Sequence, residues 1–395
     1  MHAFLRYLRW LSRVFYRALR KPVVRGLRAL PPYRRLAHLP RNEVVSAREA
    51  ATSGGGSYVA VHAPAHVALV APGESAPAPF ARITSFDAPA TFVAELADAR
   101  LFGKGVAVMT ADARAVREAT VHLNGVIDDH SVMRRFRLPA PRRLRGTTAV
   151  LSAPGGNTYY HWLFDVLPRL ELLRLAGHDL ARVDRFAVNS TRHAFQRETL
   201  ARFGIGADRV LESDRRVHVE CERMLLPSFP GASGFPPRWA CDFLVRSLLP
   251  ADDAGASRGA TSPERIYVSR QRSAKRRVAN HDALEAVLAR HGFTTVYLEE
   301  HDVAAQARLF RDARVVFGVH GSGFSNVVFC RPGATLVELF HPSETPSYFW
   351  VLSRQCGLAY RAIVAAPAPE PRAHLDVTVD VGVVEGVLAP VGGNG

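Results

Sequence analysis

Between residues 147 and 339 the sequence alternates short apolar, β-branched runs with longer segments of helical periodicity. Residues 147–151 and 184–188 read as strands, 217–226 as a strand pair, and 160–176, 193–203 and 238–249 as helices. Further on, strands at 265–269, 294–298, 314–318 and 335–339 enclose helices at 280–291, 303–311 and 324–329. Strands alternating with helices are joined by crossovers and lie parallel, so each block predicts an open doubly wound α/β sheet. Ligands of such sheets sit outside the carboxyl ends of the strands.

The two blocks are separated by residues 251–263, a small, polar stretch without periodicity that reads as a linker. The expected organisation is a Rossmann-like domain at 146–250 and a second at 264–366. At 395 residues the chain is long enough for more than one core. Residues 50–145 hold short apolar runs between Gly and Pro clusters and predict a β-rich extension. Residues 367–395 predict a tail with one short closing helix.

Residues 1–49 form a separate, basic segment. The formal charge is +15, yet eleven basic side chains fall within residues 1–41 and the first acid is Glu43, which leaves +4 for the rest. The body is near balance, which argues against a protein coating nucleic acid over its whole surface. If residues 4–21 are helical, Arg6, Arg9, Arg13, Arg17 and Arg20 fall within an arc of about 80°, with Phe4, Leu8, Leu11, Phe15 and Leu19 opposite. A cationic amphipathic helix of this kind suits an anionic membrane surface, where each basic residue contributes about 1 kcal/mol. Packing on the protein's own body and an organelle-targeting role are the alternatives. Arginine recurs too often for the uncharged core of a secretory signal. No apolar run reaches the length of a membrane-spanning helix. Cys221, Cys241, Cys330 and Cys356 lie far apart without zinc-site spacing, which fits a reducing compartment.

Three motifs carry candidate chemistry. In the first, Gly155 to Arg169, two glycines turn the chain into a helix that Asn157 or Thr158 can cap. His161 and Asp165, at i and i+4, project from one face and form a candidate general-base pair, or a hydrogen bond that only steadies the first turn. In the second, Ser269 to Arg277, five positive charges follow a strand end. That is an anion clamp or a solvated loop, with Arg270 and Lys275 the candidate phosphate ligands. In the third, Gly318 to Asn326, Gly321 and Gly323 allow a ligand near backbone N–H groups and a helix start. His320 is a candidate donor to phosphate or sugar, or a core histidine. Glu338 in the next strand is a candidate acceptor of ribose hydroxyls, or the partner of a loop arginine. No Asp-x-Asp occurs, so the usual carboxylate pair that holds a metal on a nucleotide diphosphate is missing, and no metal ligand is expected.

In this order, G-G-N-x-Y-H-W-x-x-D-x-L-P-R, I-Y-V-S-R with a basic loop, and G-x-H-G-x-G-x-x-N-x-x-F-x-x-P-G-x-x-x-x-E-L-F, the sequence resembles glycosyltransferase family 61. The resemblance covers residues 147–341. It departs mildly at Ser322 and Cys330, where Ala and Met are more familiar. It implies a GT-B type fold with two Rossmann-like domains facing a cleft, and an inverting, metal-independent hexosyl- or pentosyltransferase of capsule or exopolysaccharide synthesis. The expected donor is a nucleotide sugar, UDP-linked, and the acceptor a saccharide or lipid-linked glycan. Asp165 and His161 would then be catalytic. Arg270, Lys275, His320, Gly321, Gly323 and Asn326 would meet the diphosphate, and Glu338 the ribose. With the arm on the membrane, the expected location is the cytoplasmic face. A nucleic-acid-binding protein using the arginine-rich arm and a GT-B protein that binds saccharide without turnover are the rival readings.

Overall fold

The computed structural model describes residues 43–70, 77–103, 106–121, 138–213, 217–249, 262–371 and 374–389, with Val23, Gly26, His130 and Val132. The amphipathic segment 4–21 and nearly all of the 251–263 linker lie outside the described residues.

The second block forms the doubly wound sheet that the alternation predicts. Its five strands run in the order Thr294–Val296, Arg265–Val268, Val315–Val319, Thr335–Phe340 and Ala359–Val364, every neighbour parallel. Val315–Val319 is buried along its whole length, as a central parallel strand with helices on both faces must be. The chain first moves outward from Arg265–Val268, then returns to place Val315–Val319 on its other side. That reversal makes a crevice between the carboxyl ends of these two strands. The Ala359–Val364 strand and the Tyr348–Cys356 helix complete the unit beyond the predicted elements. Val377, Val379, Val384 and Leu388 from the tail pack into the same core, with a closing helix at Val381–Leu388.

The first block contributes four parallel strands, in the order His218–Pro227, Arg142–Val150, Arg185–Val188 and Val210–Glu212. Most strands of the β-rich stretch join the same sheet, because Thr91–Phe102 pairs antiparallel with His218–Pro227 along nine registered residues, while Ala65–Ala68 and Ser85–Ala88 pair as a separate hairpin. Residues 44–116 and 142–227 thus build one mixed sheet of nine strands, and position 146 falls inside the Arg142–Val150 strand. The pair of strands expected at 217–226 is one strand, interrupted by a bulge between Cys221 and Arg223.

One apolar core spans both halves: Trp162, Leu163 and Phe164 of the first lie in it with Phe324, Val327, Phe329 and Phe349 of the second. Shared burial of such large side chains packs the two halves against each other. Among the described residues no helix is long and apolar enough to cross a membrane.

Candidate active site

The first motif follows the Arg142–Val150 strand. Gly155 takes φ +76°, and a Cβ there would lie 2.5 Å from Cδ2 of His161. Only glycine combines that turn with so close an imidazole. Gly156 is similarly pressed against Asn189, whose amide clamps the backbone of Ala153. The expected side-chain cap is absent: Thr158 turns its hydroxyl to the Gly155 carbonyl, and Asn157 accepts from Ser190.

The helix runs from Tyr159 to Leu175 and widens by one residue across Trp162–Val166, where Leu167 N–H donates to the Trp162 carbonyl. Pro168 explains the widening, because it has no N–H to offer the preceding turn and its ring crowds the carbonyl four residues back. His161 and Asp165 meet across this wide turn, with Nδ1 2.6 Å from Oδ2. Asp165 is 9% exposed. Burial pushes its carboxyl up, while the hydrogen bond from His161 and the charge of Arg169 pull it down. The bond commits Nδ1 of His161 and leaves Nε2 without a partner among the described residues.

Arg169 is the residue whose part in this motif sequence reasoning missed. It is 1% exposed, donates to the carbonyls of Ser152 and Pro227, and stacks on Phe229. Burial lowers its guanidinium to about 9, with Asp165 opposing, so it stays cationic at neutral pH. Its place at i+8 from His161 is the signal that was available.

In the second motif the loop charges separate by partner. Arg272 pairs with Glu300 and lies over Tyr297, Arg276 pairs with Glu344, and Arg277 bonds the Ser273 carbonyl. Arg270 and Lys275 have no ion pair among the described residues. Arg270 donates to the Lys275 carbonyl at 3.3 Å, and its Nε is buried without a partner. Burial lowers its guanidinium to about 10, reinforced by Arg276 and opposed by Glu299. Lys275 is exposed.

The third motif sits across the crevice. A Cβ on Gly321 would lie 2.2 Å from Nη1 of Arg270, so the glycine lets the guanidinium lie flat on the backbone. A tight helix, Ser322–Phe329, starts immediately after it. A cleft of about 270 Å³ opens here, lined by Tyr159 and Phe195 from the first half and by Arg270, Leu298, Gln306 and Gly323 from the second. His161 and Asp165 are not in its lining; they lie along the helix that Tyr159 begins.

Two predicted ligands are placed differently. Asn326 is buried and saturated: its amide oxygen accepts from Tyr159 at 2.8 Å and its nitrogen donates to Gln306 and Gly323. It ties the two halves together and has no donor left for a diphosphate. Glu338 has 0% exposure, with Oε1 2.5 Å from Nδ1 of His320 and Oε2 2.5 Å from the hydroxyl of Tyr360. A carboxylate with both oxygens occupied inside a sheet reaches neither a ribose nor a loop arginine. His320 itself is 7% exposed at the strand end. Among the described residues no three His, Cys, Asp or Glu side chains gather as metal ligands do.

No curated protein matches this chain. Residues 159–337, which hold the histidine–aspartate helix, the basic loop and the glycine-rich turn, match the family model described as Glycosyltransferase 61, and the chain thus carries a glycosyltransferase family 61 domain.

Proposed function

We propose that the protein is an inverting, metal-independent glycosyltransferase of GT-B type. It moves a sugar from a UDP-linked donor to a saccharide or lipid-linked glycan, as in capsule or exopolysaccharide synthesis. The observation that carries this reading is Arg270, a half-buried cation whose Nε is buried without a partner, laid on Gly321 at the crevice between two parallel strand ends. Buried donors of this kind are normally satisfied, and a phosphate oxygen would satisfy this one.

The donor diphosphate lies in the cleft against Arg270, with Lys275 at its edge and the start of the Ser322–Phe329 helix behind it. His161, with Nδ1 held by Asp165, removes the proton from the acceptor hydroxyl through Nε2 as that oxygen attacks the anomeric carbon. The carbon–oxygen bond to the diphosphate breaks, and its electron pair leaves with the nucleoside diphosphate. Charge grows on that group in the transition state, so fixed cations stabilise it more than the ground state. The arm at residues 1–41 holds the enzyme on the cytoplasmic membrane face, beside lipid-linked acceptors.

Thermal unfolding against a panel of nucleotide sugars, with and without a chelator, tests this reading. One UDP-sugar should raise the transition temperature, and by the same amount in chelator. A shift that chelator abolishes would remove metal independence, and no shift with any member would remove the donor assignment.

A further inference from the structure

We infer that Glu338 and Tyr360 are positioning residues that keep a proton on Nδ1 of His320, so that Nε2 serves the leaving diphosphate. The inference rests on the glycosyl-transfer reading above.

His320 follows the Val315–Val319 strand and immediately precedes Gly321, on which the Arg270 guanidinium rests. Its ring is held between Phe340, nearly parallel at 5.5 Å, and Phe349 at 5.3 Å. Nδ1 faces Glu338 from the adjoining parallel strand, where Glu338 registers with Gly318 on one side and Ala362 on the other. Tyr360, on the third strand, donates to the other carboxylate oxygen. The relay therefore crosses three neighbouring strands, each fixed in register by the sheet.

A carboxylate buried within a parallel strand is costly unless its oxygens are bonded. Any apolar residue would fill the same space in Thr335–Phe340 without that cost. What the carboxylate adds is a fixed tautomer: an acceptor at Nδ1 requires the proton there and leaves Nε2 uncommitted. The other charged groups about His320 are Glu344 on the following loop, neutralised by Arg276, then Lys275 and, behind Gly321, Arg270.

In the transfer step His320 gives up no proton. The breaking anomeric bond sends its electron pair to the diphosphate and the acceptor's proton goes to the His161–Asp165 pair. A proton taken up from solvent on Nε2 as the diphosphate binds supplies the N–H that donates a hydrogen bond to the departing oxygen. Glu338, at Nδ1, faces the charge that this proton brings to the ring.

The test uses the full chain labelled with ¹⁵N-histidine, and the His320 signal is assigned by its loss in His320→Gln. At about pH 8.5, where an ordinary histidine is neutral, the wild-type ring should carry its proton on Nδ1, and Glu338→Gln should shift the population toward Nε2–H. A ligand-free wild-type ring that carries its proton on Nε2 and leaves Nδ1 bare overturns the inference. Calorimetry with uridine diphosphate, its 2′-deoxy and 3′-deoxy analogues and uridine gives the second readout. Glu338→Gln should weaken all three diphosphates by one common factor, about tenfold, and leave uridine unchanged, with Tyr360→Phe following the same pattern more weakly. Loss of discrimination between ribose and deoxyribose in Glu338→Gln would make Glu338 a ribose ligand and overturn the relay. Failure of the wild type to bind any of these probes would count against the UDP reading alone, with the tautomer still deciding the relay.

Discussion

Asp165 sits where stability and chemistry pull in opposite directions. Its carboxyl is raised by burial in the folded state, with His161 and Arg169 opposing. A raised carboxyl favours the folded protein at pH below the ordinary carboxylate range, and that advantage is lost as pH rises through the folded value. Replacing Asp165 by Asn removes the buried charge and keeps an oxygen for His161. The variant should therefore unfold at a higher temperature than wild type at neutral pH, with the gap closing as pH is lowered into the carboxylate range. Turnover should fall about 10²- to 10⁴-fold, because the imidazole loses the charge that orients and strengthens it as a base. Calorimetry across pH together with single-turnover rates checks both; near-normal turnover would remove the pair from proton transfer. Arg169 belongs to the same account. A guanidinium bound to two backbone carbonyls keeps its full charge available to the helix turn that carries Asp165.

At the scale of elements, the decisive join is between the helix that starts at Tyr159 and the tight helix Ser322–Phe329. Tyr159 donates to Asn326, Tyr160 stacks on Tyr348, and Phe349 touches both Tyr160 and His320. One side of the cleft is thus bolted to the other through two elements that the chain separates by 167 residues. Tyr159→Phe leaves the buried Asn326 oxygen without its donor and should cost about 1–3 kcal/mol. Chemical denaturation would show that loss as a lower midpoint with unchanged slope. A second consequence of the same join is a weaker hold on the donor, since Tyr159 lines the cleft. A variant as stable as wild type would mean that the aromatic stack alone sets the junction.

For the whole molecule, charge and fold occupy different parts of the chain. Eleven of the basic residues lie in the first 41 positions, whereas the loop after Ser269 spends three of its five charges on Glu300, Glu344 and a backbone carbonyl. The positive potential left for a ligand in that loop is concentrated at Arg270 and Lys275. Removing residues 1–41 should abolish sedimentation with vesicles containing anionic lipid while leaving turnover on a soluble acceptor unchanged. Each basic residue contributes about 1 kcal/mol at such a surface, so eleven are ample. Equal sedimentation of the shortened and full chains would assign the arm to the protein's own surface. The nucleic-acid rival predicts instead a steep salt dependence of binding to duplex that disappears with the arm.

The local pattern of the sequence was sufficient for the parallel sheet of the second half, for the helix that carries His161 and Asp165, and for the Gly321 turn, because periodicity and turn chemistry act over a few residues. It also singled out Arg270, since closeness to a strand end is a local property. Only the tertiary structure decided that Asn326 is spent on Tyr159, that Glu338 is enclosed by His320 and Tyr360, and that Arg169 underlies Asp165. Each of these depends on a partner from a distant strand, helix or backbone carbonyl. The single sheet shared by residues 44–116 and 142–227 has the same origin. Pairing of Thr91–Phe102 with His218–Pro227 joins segments more than a hundred residues apart, and no short-range signal encodes which edge a strand will find.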